Sequence, residues 1–332
     1  MQRDFGRADV RLALVTEGMI HWSIPDLMDW LEQHAPDVHD LEIGTGGYSP
    51  LGHSPLELSP AERRSWLAVI RSRGFRIAAF NVSGNPLHPA DEIGSRHDSD
   101  LRRTIALAAE LGVDRIVAMS GTPAAGPVPG TAPHFAANAW LPDYAGIADW
   151  QFEHRVRPYW EAINELIVRS GSELMVCLEL HPGAHVFNVA TFERLHAVAP
   201  RIGVNLDPSH LFWQRMDPLR VIERLGTSIG YAHAKDVRYH DDALVLNGLL
   251  DNRWPGDPAT IPWDFAAVGH GAHDRAWWAG FVTALERGTS ASTLSIEHED
   301  RLVLPEDGVA TSATLLAGVL GPLDPGPRVD SA

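Results

Sequence analysis

Cysteine is nearly absent from this chain of 332 residues. Cys177 has no second cysteine with which to form an intrachain disulfide, and a zinc site built from several thiolates is excluded. Any bound metal must therefore be held by histidine and carboxylate side chains. Long apolar runs are also missing, because no stretch approaches the about 18 consecutive apolar residues of a membrane span. Since residues 1–10 also lack a basic-then-apolar signal pattern, we expect a soluble, cytoplasmic protein.

Positive charge is scarce as well. The chain has 27 Lys and Arg against 43 Asp and Glu, which gives a formal net charge of −16, and it has no basic run. A chain of this charge repels phosphate backbones and anionic lipids, so we expect neither nucleic acid nor membrane as a partner. Tryptophan and histidine, by contrast, are plentiful, with 11 and 17 residues. Their concentration outside the periodic stretches indicates that they line a site.

Short apolar runs alternate regularly with amphipathic stretches along the chain. The predicted strands are Arg11–Val15, Asp40–Ile43, Arg76–Phe80, Arg115–Met119, Leu174–Leu178, Ile202–Leu206, Ile229–Ala232 and Thr293–Ile296. The predicted helices are Pro25–His34, Pro60–Arg73, His97–Leu111, Phe152–Ser170, Thr191–Ala199, Pro218–Leu225, Asp274–Arg287 and Pro305–Leu320. Eight strand–helix units in this length predict an α/β fold, a (β/α)8 TIM barrel. An open doubly wound sheet is disfavoured because no GxGxxG sequence follows the first strand.

The domain organisation follows from the same pattern. We predict one barrel domain over residues 1–323, followed by a flexible tail over residues 324–332. Two connections, residues 120–150 and 236–273, are long and rich in Pro, Gly and Trp. Because long loops at the carboxyl ends of barrel strands commonly bind or cover ligands, we expect these two to lie over the site.

Carboxylates and imidazoles follow the last four predicted strands, at the end of the barrel where active sites lie. Residues two apart on a strand share a face, so Glu179 and His181 are expected to point the same way. Several carboxylates at the same end of a barrel repel each other unless a cation lies between them. A single such side chain is more often structural, but four at successive strand ends favour a metal site. The set offers oxygen and nitrogen ligands suited to Mn²⁺, Mg²⁺, Co²⁺ or Zn²⁺ and comprises Glu179, Asp207, His233 and Glu297.

A family resemblance rests on six stretches, which occur in the order LEIGTGGYSP (41–50), NVSGNPLHP (81–89), LELHPG (178–183), GVNLDPSHLFWQ (203–214), HAKD (233–236) and SIEHED (295–300). Together they resemble the sugar phosphate isomerase/epimerase group of the xylose isomerase-like TIM-barrel superfamily. The resemblance covers nearly the whole chain. It implies one divalent metal ion, with Mn²⁺ expected first, bound by Glu179, Asp207, His233 and Glu297. It also implies that His210, in an Asp-x-x-His motif, contacts a substrate oxygen.

The chain departs from the ketose 3-epimerases of that superfamily at two places. Those enzymes have an arginine a few residues beyond the metal-binding histidine, where this chain reads Asp236-Val-Arg238-Tyr239, and they do not need a histidine at the position of His181. This difference argues against a simple free ketose as substrate. Similar enzymes include 3-dehydro-glycoside epimerases and the larger subunit of C-glycoside deglycosidases.

The metal set favours Lewis-acid chemistry on a sugar or keto-sugar of the 3-dehydro-glycoside type. We expect removal of a proton next to a carbonyl through a metal-bound enediolate, giving epimerisation or isomerisation. The catalytic candidates are Glu179, His181 and Glu297, although His181 is equally well explained as a rim histidine. The substrate-binding candidates are Glu42, Asn81, Trp140, His210, Trp213 and Lys235.

The sequence also permits other functions. The same intermediate also permits a lyase that eliminates the aglycone of a 3-keto C- or O-glycoside, which is the first alternative. A non-catalytic sugar-binding barrel is a remote alternative. The AP endonucleases of the superfamily are disfavoured because they bind DNA through basic surfaces, which this acidic chain lacks. A sugar or keto-glycoside is the expected partner, and a homo-oligomer or a small second subunit is left open.

Overall fold

The computed structural model describes residues 10–320, apart from 129, 138, 139, 172, 254, 255 and 259. The strands are β1 Arg11–Val15, β2 Val38–Gly44, β3 Arg76–Asn81, β4 Arg115–Ala118, β5 Met175–Glu179, β6 Ile202–Leu206, β7 Ile229–Ala234, β8 Asp236–Tyr239, β9 Trp263–Ala266 and β10 Thr293–Ile296. All except β8 and β9 are parallel and close into a barrel in the order β1-β2-β3-β4-β5-β6-β7-β10. The prediction of a TIM barrel is confirmed.

Helices follow the barrel strands and pack around them. They are α1 Ile24–His34, α2 Pro60–Ser72, α3 Asp91–Leu111, α4 Ile147–Gln151, α5 Arg157–Arg169, α6 Val189–His196, α7 Ser209–Phe212, α8 Pro218–Leu225, α9 Asp241–Asn247, α10 Arg275–Gly288 and α11 Pro305–Leu320. A π-helical turn, Phe152–Val156, joins α4 to α5. The start of α2 shows how sequence sets these boundaries, because Ser59 and Glu62 form a reciprocal capping box there.

Several predicted boundaries and one predicted loop differ from the structure, and predicted helix Phe152–Ser170 is a π-helical turn over its first five residues. Helix α3 begins at Asp91 rather than His97, because its first two turns are mostly polar and carry little apolar periodicity. Strand β7 continues to Ala234, two residues beyond the predicted end. The connection 236–273 is not irregular: β8 and β9 pair antiparallel, with Asp236 opposite Ala266, and α9 lies between them. The predicted tail, residues 324–332, lies outside the described residues.

The barrel interior is packed with side chains. Ala79, Val117, Cys177 and Tyr231 come from four barrel strands and form one buried cluster inside it. A filled interior is typical of an eight-stranded barrel, and it leaves the carboxyl ends of the strands as the place for a polar site. In the described part of the chain, no helix has the length and apolar character needed to cross a membrane.

Candidate metal centre

Four predicted metal ligands meet at the carboxyl end of the barrel. Glu179 is the last residue of β5, Asp207 follows β6, His233 lies in β7 and Glu297 follows β10. Each offers one ligand atom, and these atoms all lie within 4.8 Å of one another. The side chains of Asp207 and His233 are fully buried, and that of Glu297 is 17% exposed. The barrel therefore gathers residues that are far apart in sequence into one cluster.

The arrangement of Asp207 shows that this cluster fits a cation. Its Oδ1 accepts a hydrogen bond from Ser209 N at 2.8 Å, whereas its buried Oδ2 has no hydrogen bond and lies 3.2 Å from Lys235 Nζ. That single ammonium group is shared with Glu297 and Glu299, so the buried carboxylates outnumber the positive charge beside them. Three carboxylates and one imidazole form the mixed oxygen and nitrogen set that divalent Mn, Co, Zn or Mg ions accept. The residues present therefore fit one divalent cation.

Lys235 is the only lysine in the chain, and its side chain is 2% exposed. Its Nζ lies 2.7 Å from Glu297 Oε2, 2.6 Å from Glu299 Oε2 and 3.2 Å from Asp207 Oδ2. Burial acts to lower the pKa of Lys235, but Glu297, Glu299 and Asp207 together raise it well above the ordinary value. Lys235 therefore carries a positive charge at neutral pH beside the cluster.

Glu42 and Asn81 are arranged differently from the prediction that they bind substrate. Glu42 is fully buried, and both of its carboxylate oxygens lie 3.1 Å from His233 Nε2. Asn81 Nδ2 donates to Glu42 Oε1 at 2.8 Å, and Asn81 Oδ1 accepts from Ser83 N. The polar atoms of these two residues are therefore engaged within the protein, and Glu42 contacts His233 directly. His233 Nδ1 is then left on the side of Glu297, at 3.1 Å from Oε2.

His210 and His181 form a pair of rings beside Glu179. His210 Nε2 lies 2.6 Å from Glu179 Oε1, and the His181 ring centroid lies 4.1 Å from that of His210. The pKa of each histidine is lowered to about 4, mainly by burial, and for His181 the neighbouring His210 acts in the same direction. Burial and the nearby Glu297 raise the pKa of Glu179 to about 7. Both imidazoles are therefore neutral at physiological pH.

His181 reaches this position by a turn, not by continuing the strand as predicted. His181 N donates to Glu179 O at 2.8 Å, and this bond across two residues turns the chain away from the direction of β5. The argument that Glu179 and His181 share a strand face is therefore wrong in its geometry. The His181 ring nevertheless lies within the mouth, because it packs on His210.

The two predicted tryptophans have different environments. Trp213 stacks on Trp263 with a distance of 4.9 Å between ring centroids. Trp263 packs edge-on against Phe265, with 5.3 Å between their ring centroids. Phe265 in turn lies 4.5 Å from Lys235 Nζ and 5.3 Å from the His210 ring. Trp213 is thus connected to the site through two aromatic rings. Trp140 is 76% exposed in the connection 120–150, and the structure does not bring it into this aromatic group.

Glu17 lies at the same end of the barrel but was not among the predicted site residues. It lies in a short 3-10 helix, Thr16–Met19, directly after β1. Its Oε1 is buried without a hydrogen bond, in the part of the protein that the structure describes. Burial raises the pKa of Glu17 to about 7, and nearby Glu297, Glu42 and Glu299 act in the same direction. The signal in the sequence was a carboxylate at the end of the first strand.

The fold and this cluster define a (β/α)8 barrel with carboxylate and histidine side chains that could hold a metal ion at the carboxyl ends of its strands. The chain belongs to the xylose isomerase-like TIM barrel family, whose model matches residues 41–318. It is 34% identical over 314 residues to YfiH, an uncharacterized protein of Bacillus subtilis strain 168. That match covers 92% of this chain and 98% of YfiH.

Solved structures similar to this chain include three with described properties. The probable 3-DHS dehydratase AsbF of Bacillus anthracis has a TM-score of 0.64 at 15% identity, covering 93% of this chain and 99% of AsbF. The IOLI protein with a bound zinc atom has a TM-score of 0.62 at 14% identity, covering 94% and 98%. A D-psicose 3-epimerase has a TM-score of 0.57 at 12% identity, covering 94% and 100%. Identities this low show a shared fold.

Proposed function

We propose that this protein is a divalent-metal-dependent enzyme that epimerises or isomerises a keto-sugar of the 3-dehydro-glycoside type. The observation that carries the proposal is the cluster Glu179, Asp207, His233 and Glu297, whose ligand atoms lie within 4.8 Å of one another beside a neutral His181. Membership in the xylose isomerase-like family supports a sugar as substrate. The net charge of −16 supports a small molecule rather than a nucleic acid as the substrate.

The reaction class follows from the chemistry of these groups. A divalent cation held by the four ligands would supply positive charge that stabilises a developing oxyanion, and we propose Mn²⁺, with Mg²⁺, Co²⁺ and Zn²⁺ as alternatives. A positioned base of this chain removes the proton next to the sugar carbonyl. Return of a proton to the opposite face of the same carbon gives the epimer, whereas return to the neighbouring carbon gives the isomer.

His181 is the proposed base. Its Nδ1 lies 2.6 Å from Pro182 O, and because a carbonyl oxygen can only accept, Nδ1 carries the proton of the neutral ring. Nε2 is then the unprotonated nitrogen that accepts the substrate proton. Glu179 and Glu297 are the proposed partners in proton transfer, since each has a second carboxylate oxygen besides the one that it offers to a metal.

Lys235 and His210 are the proposed substrate-binding groups. The Lys235 ammonium is held among three carboxylates and keeps its charge, so it can donate a hydrogen bond to a hydroxyl or carbonyl oxygen. His210 stays neutral between Glu179 and the ring of Phe265. Trp213 supports this wall through Trp263 and Phe265.

Elimination is the second candidate, in which loss of a substituent on the neighbouring carbon replaces reprotonation. Its specific support is an apolar cavity beside His181, described below, which is suited to a leaving group of low polarity. The similarity to AsbF, a probable dehydratase, is consistent with it. The product distinguishes the two candidates, because elimination releases a free aglycone and epimerisation does not.

The test is hydrogen exchange in D₂O with methyl 3-keto-β-D-glucoside, followed by NMR. We expect deuterium at the carbon next to the carbonyl, loss of exchange after EDTA treatment, and recovery on addition of Mn²⁺. Asp207→Asn should lose bound metal and exchange together, while Glu165→Gln, at an exposed surface pair, should keep both. Exchange that continues unchanged in metal-free protein would refute the proposal, as would stoichiometric metal in a Glu179→Gln, Glu297→Gln protein. Sugar binding without any exchange would indicate the non-catalytic barrel.

A further inference from the structure

A cavity of about 340 Å³ opens beside His181, outside the set of metal ligands. Its walls come from the segments that follow four strands, β2, β3, β4 and β5, and include part of the long connection 120–150. They include Tyr48, Met119, Pro133, Phe135 and Ala184. Four of these five side chains are entirely apolar, and Tyr48 packs its ring on His97 at 4.7 Å. The cavity is therefore lined mainly by hydrocarbon and aromatic surface.

Two polar side chains in the cavity wall, Asn85 and Thr122, are engaged with the backbone. Asn85 Nδ2 donates to Thr122 O at 2.9 Å, and Asn85 Oδ1 accepts from Thr122 N at 2.9 Å. Thr122 Oγ1 donates to Gly183 O. Gly121 lies among them with a φ of +79°, and a Cβ there would come within 2.9 Å of Asn85 Oδ1. This tight backbone arrangement closes the polar groups off and leaves apolar surface facing the cavity.

The histidine pair lies between the cavity and the cluster of metal ligands. His181 lines the cavity, its ring lies 4.1 Å from that of His210, and His210 Nε2 lies 2.6 Å from Glu179 Oε1. A substrate whose reacting carbon lies near His181 therefore has one side directed at the ligands and the other directed at the cavity. Whatever substituent the sugar carries on that second side must enter apolar surroundings.

We infer that this cavity binds an aromatic aglycone and makes the protein select aryl glycosides over simple sugars. The inference rests on the proposed function and names the substrate class for the same site. A dry cavity of roughly 150 Å³ holds one benzene molecule, so about 340 Å³ accommodates a fused bicyclic aromatic group. A second sugar ring is disfavoured on polarity, because most of its hydroxyls would lose water without finding a partner in a wall that is mainly apolar.

The experiment measures binding by calorimetry to Mn²⁺-loaded protein with three unreactive probes, namely methyl, phenyl and 2-naphthyl β-D-glucoside. Burial of an aromatic ring in an apolar cavity predicts at least about tenfold tighter binding of the naphthyl than of the methyl glucoside. Met119→Trp fills the cavity and should reduce that ratio to about two or less. Phe135→Ala removes part of the wall and should also reduce the ratio. Val128→Ala is the control, because Val128 lies in the same connection, is 77% exposed and does not line this cavity.

The outcomes separate this inference from the proposed function. An aryl preference that is lost in Met119→Trp and Phe135→Ala supports the aglycone site, even if no keto-glycoside exchanges deuterium. A naphthyl-to-methyl ratio within twofold in the unsubstituted protein overturns the inference, even if methyl 3-keto-glucoside exchanges rapidly. A ratio that survives both substitutions overturns it as well, and so does tighter binding of methyl β-cellobioside than of the aryl glucosides.

Discussion

His233 Nε2 lies 3.1 Å from each carboxylate oxygen of Glu42, so a buried carboxylate holds the ring at the nitrogen opposite Nδ1. Such a contact fixes the tautomer and orientation of a metal-binding imidazole and increases its basicity. We expect Glu42→Gln to lower metal affinity about 10–100-fold while the barrel remains folded. Metal titration of the purified variant measures this effect.

The control for that substitution is Asn81→Ala, one step further from the metal. Asn81 Nδ2 donates to Glu42 Oε1 at 2.8 Å, so its removal should loosen Glu42 and weaken metal binding less than Glu42→Gln does. If Glu42→Gln binds metal within twofold of the unsubstituted protein, Glu42 does not position His233 for metal binding.

His181 is expected to act in proton transfer and not in metal binding. His181→Ala should reduce turnover of the keto-sugar by about 10²–10⁴-fold and leave the metal content unchanged, because a positioned base is lost. A kinetic assay with parallel metal analysis checks both parts. His185→Ala is the matched control, since His185 is a nearby histidine whose pKa burial also lowers to about 4, but which lies against Phe152 instead. A loss below about tenfold would make His181 a rim residue and leave the two glutamates as bases.

Glu17 should make the stability of the metal-free protein depend on pH. Its pKa is about 7 in the folded state against an ordinary 4.5, so the native state holds the proton more tightly than the unfolded state. Stability from this group is therefore complete below about pH 4.5 and is lost as the pH rises through 7. Glu17→Gln remains neutral and should avoid a loss of about 2–3 kcal/mol, so its advantage over the unsubstituted protein should grow from pH 5 to pH 8.

Urea unfolding of EDTA-treated protein at the two pH values measures this difference. Glu165→Gln is the control, because its carboxylate is 67% exposed in a surface pair with Arg169. The same difference in unfolding free energy between Glu17→Gln and the unsubstituted protein at pH 5 and at pH 8 would show that Glu17 titrates normally.

The connections 120–150 and 236–273 are predicted to cover the bound substrate. Pro133 and Phe135 of the first line the cavity beside His181, and Phe265 of the second lies 4.5 Å from Lys235 Nζ. We expect substrate to slow chymotrypsin cleavage at the exposed Trp140 and trypsin cleavage at Arg253. Metal-free protein with the same substrate is the control. Cleavage rates at both sites that no accepted substrate or inhibitor alters would remove the support for a covering role.

The barrel and its four clustered carboxylate and imidazole groups were predictable because they depend on strand ends. In a parallel barrel every strand ends at the same rim, so a polar residue after an apolar run is assigned to that rim without knowledge of packing. The role of Glu42 could not be predicted this way. It contacts His233 across 191 positions of sequence, and only the closed barrel shows that they touch.

The remaining differences between the predicted and the observed structure arise at turns and connections. Strand alternation cannot show that the hydrogen bond from His181 N to Glu179 O ends the extended conformation. Neither does a Pro- and Gly-rich connection indicate that Asp236–Tyr239 and Trp263–Ala266 pair as a hairpin, since the two strands are separated by a helix and a further stretch. Glu17 was overlooked because the direction of a side chain in a short 3-10 helix is set by the turn and not by a period.

The burial of Lys235, the only lysine of the chain, has a practical consequence for spectroscopy. Protein grown with ¹⁵N-labelled lysine carries a single labelled side-chain nitrogen, and it lies 2.7 Å from Glu297 and 3.2 Å from Asp207. Its resonance reports on the metal ligands without assignment of any other signal. Paramagnetic Mn²⁺ should broaden that resonance beyond detection, whereas diamagnetic Zn²⁺ or Mg²⁺ should shift it. One isotopic label thus follows metal occupancy and ligand exchange in solution.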